Sequence, residues 1–208
     1  MKRNIILIGP SRVGKTTLAK RLNMELNYSV LGTDDLAEAF KESLPQLKIG
    51  KPNDYETSVA NVAPFLATYV SALAWRSNYY NGTKFVFEDG QGWFDFNKLV
   101  PLWEAGEPNK DYWKKQYLII GLTYHNQTPD ELFNKIREHD VKDDWTYRAS
   151  DEKLRSHIDS CLEYSRTLYD KCKKYGPIFY DVSNDREQVL DKIFNDIVNQ
   201  VEKKHPIV

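Results

Sequence analysis

Nothing in this sequence is long and apolar enough to cross a bilayer as a helix, which takes about 18 uninterrupted apolar residues. The opening Met1-Lys2-Arg3-Asn4 leads straight into a short apolar run with no signal-like region between, so a soluble cytoplasmic protein with no membrane partner is expected. An excess of one charge is missing too. With 29 Lys and Arg against 30 Asp and Glu, mixed along the chain to a net charge of -1, there is no basic face for a phosphodiester backbone, which argues against a nucleic-acid partner. Cysteine is scarce. Cys161 and Cys172 fall on the apolar stripe Leu154, Ile158, Cys161, Leu162, Leu168, Tyr169, Cys172 of a helical segment. At about 1.5 Å of rise per residue they stand roughly 16 Å apart, beyond the ~7 Å limit for a disulfide, so both read as packing residues. Arginine is nearly absent from the middle of the chain, where Arg76 is the sole one between Arg21 and Arg137. Repeats and low-complexity tracts are lacking as well. The length of 208 residues suits a single α/β domain over 1–208 with an inserted lid or cap. None of these counts fixes an oligomeric state.

What is present is most informative at residues 9–17, Gly9-Pro10-Ser11-Arg12-Val13-Gly14-Lys15-Thr16-Thr17, directly after the apolar run Ile5-Ile6-Leu7-Ile8. This is the phosphate-loop pattern G-x-x-x-x-G-K-[ST], set between a strand and a helix. The two glycines let the backbone curl so that successive N–H groups face phosphate oxygens, and the following helix adds its positive N-terminal dipole. Lys15 then reaches the outer phosphates and Thr16 offers a hydroxyl to magnesium. Nucleoside triphosphate binding through Gly9, Ser11, Arg12, Val13, Gly14, Lys15, Thr16 and Thr17 is the expectation, with Mg2+ alongside it.

Four further apolar runs, Tyr28 to Leu31, Lys84 to Phe87, Gln116 to Leu122 and Pro177 to Val182, lack in-out alternation and predict parallel strands covered on both faces. Helical patterns separate them, as right-handed crossovers require. Tyr55 to Tyr80 and the stretch from Val189 to Val201 both repeat apolar residues at helical spacing. Thr128-Pro129-Asp130-Glu131 and Ser150-Asp151-Glu152 carry helix-start chemistry. The irregular part is Gly90 to Lys115, where Trp93, Phe94, Phe96, Trp103, Tyr112 and Trp113 sit among Gly, Pro and Lys and are candidates for an acceptor-pocket wall.

Ligands of a wound sheet collect beyond the carboxyl ends of the strands. The second run ends in Gly32-Thr33-Asp34-Asp35: Asp34 is placed either to receive an acceptor hydroxyl's proton or to hold that hydroxyl in line, whereas Asp35, with Glu38 three residues on, reads as a helix cap. The third ends in Glu88-Asp89-Gly90, where one of Glu88 and Asp89 would orient a magnesium-bound water beside Thr16. After the fourth, Arg137 and Arg148 flank a charged, tryptophan-containing turn, the place for a lid over 128–150 that brings guanidinium charge onto a transferring phosphoryl group. His139 reads as an exposed polar residue.

The phosphate loop, Asp34, Asp89-Gly90, the arginine-bearing turn and the closing run Phe179-Tyr180-Asp181-Val182-Ser183 together resemble the small phosphate-loop kinases of the adenylate kinase and shikimate kinase superfamily. The resemblance implies a three-layer α/β fold with a five-stranded parallel sheet. It also implies ATP with magnesium, an acceptor-binding helical region over 36–80, an arginine lid, and passage of the adenine base near Ser183 to Arg186. Nucleoside monophosphate kinases of that group carry arginines after strands two and three to grip the acceptor's phosphate. The matching stretches here, Asp35-Leu36-Ala37-Glu38 and Asp89-Gly90-Gln91-Gly92-Trp93, have none, and lysines replace a bidentate clamp poorly. The expected activity is therefore phosphoryl transfer to a small hydroxyl-bearing metabolite or nucleoside-like acceptor, with Trp75, Tyr79, Trp93 or Trp113 stacking on its ring. A nucleotide-dependent switch, a nucleoside monophosphate kinase and a kinase of nucleic-acid ends are the alternatives.

Overall fold

The computed structural model describes residues 3–49, 55–80, 82–90 and 117–202. Its centre is a five-stranded, all-parallel sheet in the order β2-β3-β1-β4-β5, built from β1 (Asn4–Ile8), β2 (Ser29–Gly32), β3 (Phe85–Asp89), β4 (Tyr117–Thr123) and β5 (Ile178–Asp181). Helices α1 (Lys15–Leu26), α2 (Thr33–Ser43), α3 (Tyr55–Tyr79), α4 (Pro129–His139), α5 (Trp145–Arg148), α6 (Asp151–Tyr175) and α7 (Arg186–Glu202) complete it, with a 3-10 turn at Pro45–Leu47.

Alternation along β1 explains the layering. Ile5 and Leu7 enter one core with Leu18, Leu22, Ile193 and Ile197 of α1 and α7, while Ile6 and Ile8 enter a second with Ala67, Val70, Ala74 and Leu168 of α3 and α6. Each of the four β1 side chains is at most 2% exposed, and each such burial is worth about 1.5–3 kcal/mol. The phosphate loop therefore leaves the central strand of the sheet, which is buried on both faces. Its exit is fixed by register, since Ile8 pairs with Asp89 on one side and Gly121 on the other.

The expectation of strands covered on both faces holds for β1, β3 and β4 and fails for the outer two. Val30 of β2 and Ile178 and Phe179 of β5 are exposed, because an edge strand has only part of a helix over each face. Both cysteines are buried and free. Burial pushes the Cys161 and Cys172 thiols up to about 11, which keeps them protonated and inert.

The sequence's start signals are realised at α4 and α6. Thr128 and Glu131 form a reciprocal capping box with Pro129 at the first helical position, and the Ser150 side chain accepts from the Lys153 backbone N–H. Thr128→Ala is expected to cost about 1 kcal/mol of stability, measurable as a lower chemical-denaturation midpoint with an unchanged slope. Helix α2 departs from expectation. Its N-cap is Gly32, and no side chain caps it, so Asp35 is not the cap. Thr33, fully buried, instead sends its hydroxyl across to the Glu88 carbonyl at 3.0 Å, which starts the helix at Thr33 and puts both Asp34 and Asp35 in its first turn. A satellite core of Ala37, Ile49, Val62 and Leu66 joins α2 to α3.

Candidate active site

Four features shape the phosphate loop. Gly9 N–H donates to the Asp89 carbonyl at 3.1 Å, and a Cβ on Gly9 would stand 2.4 Å from the Leu122 carbonyl oxygen of β4. Val13 is fully buried in the first core and pins the loop from below. Gly14 has φ +97, a conformation that favours glycine, and caps α1. Lys15 donates its ammonium to the carbonyls of Gly9 and Pro10, both at 2.8 Å, so the same side chain that the motif assigns to phosphate also braces the loop. Because the obstacle at Gly9 is backbone, Gly9→Ala is expected to cost about 1–3 kcal/mol. It should also weaken nucleotide binding, as thermal unfolding and nucleotide titration of the variant would show.

Beyond the loop, carboxylates gather. Thr16 Oγ1 donates to Glu88 Oε2 at 2.8 Å. The carboxylates of Asp89, Asp34 and Glu88 all act on the Lys15 ammonium; burial lowers its pKa and they oppose that shift. Burial also raises the Glu88 carboxyl above the usual range; the Thr16 bond and Lys15 oppose this while Asp34 and Asp35 reinforce it. Asp89 is fully buried. Asp34 is exposed at the start of α2, and its Oδ2 lies 2.6 Å from where a Cβ on Gly90 would stand, so glycine there is what lets the carboxylate lean over the end of β3. Thr17 is exposed on the outer side of α1.

On the other side of the loop a cavity of about 550 Å³ opens between α4 and the β5–α7 connection, lined among others by Arg12, Tyr124, Leu132, Lys135, Ile136 and Arg186. Ser183 does not line it. Its hydroxyl bonds to Asp181, and its carbonyl accepts from Gln127 and Lys135, so Ser183 builds the turn that lets Val182 and Arg186 face the cavity. Arg186 also pairs with Glu187 at 2.9 Å. His139 is exposed at the cavity's mouth. Lys135 and Tyr124 went unmarked in the sequence, where each reads as an ordinary member of an amphipathic helix or a strand end; only the convergence of three elements makes them wall residues.

The two arginines expected on a lid differ from one another. Arg137 donates to the carbonyls of Thr146 at 2.8 Å and Ala149 at 2.9 Å and to Asp151 Oδ1 at 2.6 Å, which ties α4 to α5 and α6. Arg148 lies exposed, with Nε 3.3 Å from the Lys142 carbonyl. Arg12 is the arginine at the loop itself. Its φ of 69 is in the left-handed region, at a cost of about 1–2 kcal/mol for a side-chain-bearing residue, and its guanidinium meets Asp140 at 3.1 Å and Asp144 at 2.7 Å.

The aromatic wall is corrected in part. A crossover helix runs antiparallel to the strands it joins, so the last turn of α3, six residues before β3 begins, lies at the amino ends of the strands. Trp75 and Tyr79, stacked on each other at 5.1 Å, are therefore at the opposite end of the sheet from the phosphate loop. The same applies to Arg76. Trp93, Phe94, Phe96, Trp103, Tyr112 and Trp113 lie outside the described residues. Nearer the loop, α2 and α3 present Phe40 and Phe65 edge to face at 4.5 Å, with Phe65 exposed.

No family model matches this sequence, and no curated protein matches it. Solved structures do. The shikimate kinase of Bacteroides thetaiotaomicron superposes with a TM-score of 0.52 at 16% identity, over 96% of this chain and 98% of that one. The fold is that of the small phosphate-loop kinases. An uncharacterized protein from Eubacterium ventriosum shares this kinase fold at a TM-score of 0.50 and 13% identity, over 95% of this chain and 99% of that one. The YorR protein of Bacillus subtilis, solved in complex with phosphorylated GDP, matches at 21% identity with a TM-score of 0.49, over 97% and 98% of the two chains. Among the described residues, no helix of this kinase fold is long and apolar enough to cross a membrane.

Proposed function

We propose that the protein is an ATP-dependent kinase that transfers the γ-phosphoryl group to a hydroxyl of a small acceptor. The observation that carries this reading is the gathering of Asp34, Glu88 and Asp89 around Lys15 at the mouth of the phosphate loop, with the donor cavity on one side and α2 on the other. Lys15 and the loop amides hold the donor phosphates, and the cavity between Arg12, Lys135 and Arg186 takes the base and sugar; its size is that of an ordinary small-ligand site. Val182 and Arg186 border that cavity, which supports passage of the base along the β5–α7 connection. The acceptor oxygen bonds to the γ-phosphorus as the bridging oxygen leaves with ADP, and Asp34 takes the hydroxyl's proton. Arg12 and, through the lid, Arg137 supply guanidinium charge; Arg148, on the exposed turn, reaches the site only with lid movement.

Magnesium suits the residues present. It is bound in such sites by one or two carboxylates together with substrate phosphates and water, and Thr16 and Glu88 offer a hydroxyl and a carboxylate side by side. These two residues would hold it, with Asp89 behind them. The metal supplies charge neutralisation on the donor phosphates.

The acceptor end has carboxylates and no described arginine: Arg76 lies at the far end of α3, and Arg12 and Arg137 are engaged with the lid. This favours an acceptor without a phosphate group. The decisive experiment is ATP consumption with magnesium across nucleosides, nucleotides, sugars, polyols and aminoglycosides. Acceptor-dependent ADP release is the expected result; slow release indifferent to every acceptor would point to a nucleotide-dependent switch.

A further inference from the structure

Asp140, at the end of α4, faces both the phosphate-loop arginine, Arg12, and the lid arginine, Arg137. Its side chain is only 2% exposed. Oδ1 accepts from Arg12 Nη2 at 3.1 Å and from the Thr146 hydroxyl. Oδ2, buried, makes no hydrogen bond, and Arg137 Nη1 stands 3.6 Å from it. A buried carboxylate oxygen left unsatisfied is costly unless a charge stands near it, and Arg137 is that charge. Arg12 reaches Asp140 across 128 positions of chain from a left-handed backbone conformation, which glycine would adopt without strain. That residue choice makes sense if the side chain is needed, and the side chain also lines the donor cavity.

We propose that Asp140 is a positioning residue that couples the lid to the donor nucleotide, by holding Arg12 of the phosphate loop and Arg137 of the lid on one buried carboxylate. The inference rests on the proposed donor site. Arg12 touches both the cavity and Asp140, and Arg137 touches both Asp140 and the carbonyls of Thr146 and Ala149. A nucleotide that orders Arg12 therefore orders the lid turn, and the coupling runs equally in reverse.

The test is limited trypsin digestion at the exposed Lys142 and Arg148 of the lid turn, with and without a non-hydrolysable ATP analogue and magnesium, alongside calorimetric titration of the analogue. In the unmodified protein the analogue should slow lid cleavage about tenfold. Asp140→Asn should reduce that protection to less than about twofold and raise the nucleotide KM with the acceptor KM unchanged. Arg12→Gly, which removes the side chain and relieves the backbone, should lose protection to the same extent, and the double variant should be no worse than either single one. Full analogue protection in Asp140→Asn would overturn the proposal. If Asp140→Asn does not fold, full protection in Arg12→Gly would do the same. Absence of analogue binding to the unmodified protein would instead remove the donor-site reading itself, and the coupling with it.

Discussion

Replacing Lys15 with alanine is expected to lower phosphoryl transfer by about 10³-fold and to leave the protein folded. The loss should be large because the described residues at the loop put three carboxylates, and no second lysine, against one ammonium. Without it no ammonium would offset those three carboxylates where the outer phosphates enter the loop. The fold should survive because what Lys15 braces, the carbonyls of Gly9 and Pro10, belongs to a loop already pinned by the Gly9 to Asp89 bond and by buried Val13. Burial lowers the Lys15 pKa in the free protein, so its charge, and with it kcat/KM, should fall on the alkaline side before an ordinary lysine would titrate. Bound phosphate restores the charge, so the same limb in kcat should move to higher pH. An alkaline limb common to kcat and kcat/KM, or full turnover in Lys15→Ala measured as ADP release, would contradict the assignment.

The phosphate loop was legible in the sequence because all its constraints are local: a buried strand followed at once by two glycines, a lysine and a hydroxyl within eight positions. The capping box at Thr128 was legible for the same reason. Asp34 and Glu88 were legible as strand-end acids, although their closeness depends on the Thr33 hydroxyl bonding to the Glu88 carbonyl, a contact over 55 positions that no local pattern announces. That same bond is why Asp35 failed as a cap. Trp75 and Tyr79 were misplaced for a reason the sequence did contain, since a helix leading into a parallel strand must end at that strand's amino end. The clasp of Arg12 on Asp140 and Asp144 was invisible. In sequence the two aspartates are members of a charged, solvated turn, and only the packing of the turn after α4 against the phosphate loop buries one of them.

Asp34→Asn is expected to reduce kcat by about 10²-fold, at the low end of what a general base contributes, because the transition state for phosphoryl transfer is loose and proton removal is late. The nucleotide KM should not change, since Asp34 stands at α2, across the loop from the cavity that takes the donor. Asparagine keeps the side chain's shape, so a loss in Asp34→Asn reports the charge and not the packing. Gly90→Ala makes the complementary change. A Cβ there would overlap Asp34 Oδ2 at 2.6 Å, and the overlapped atom is the far end of a flexible side chain, so the fold should persist while the carboxylate is displaced. If Asp34 receives the acceptor's proton, both variants lose kcat, and the double variant loses little more than Asp34→Asn alone. Additive losses would show that Gly90 and Asp34 act separately. Unchanged turnover in Asp34→Asn would pass the proton to Glu88 or to solvent and leave Asp34 with no part in the transfer.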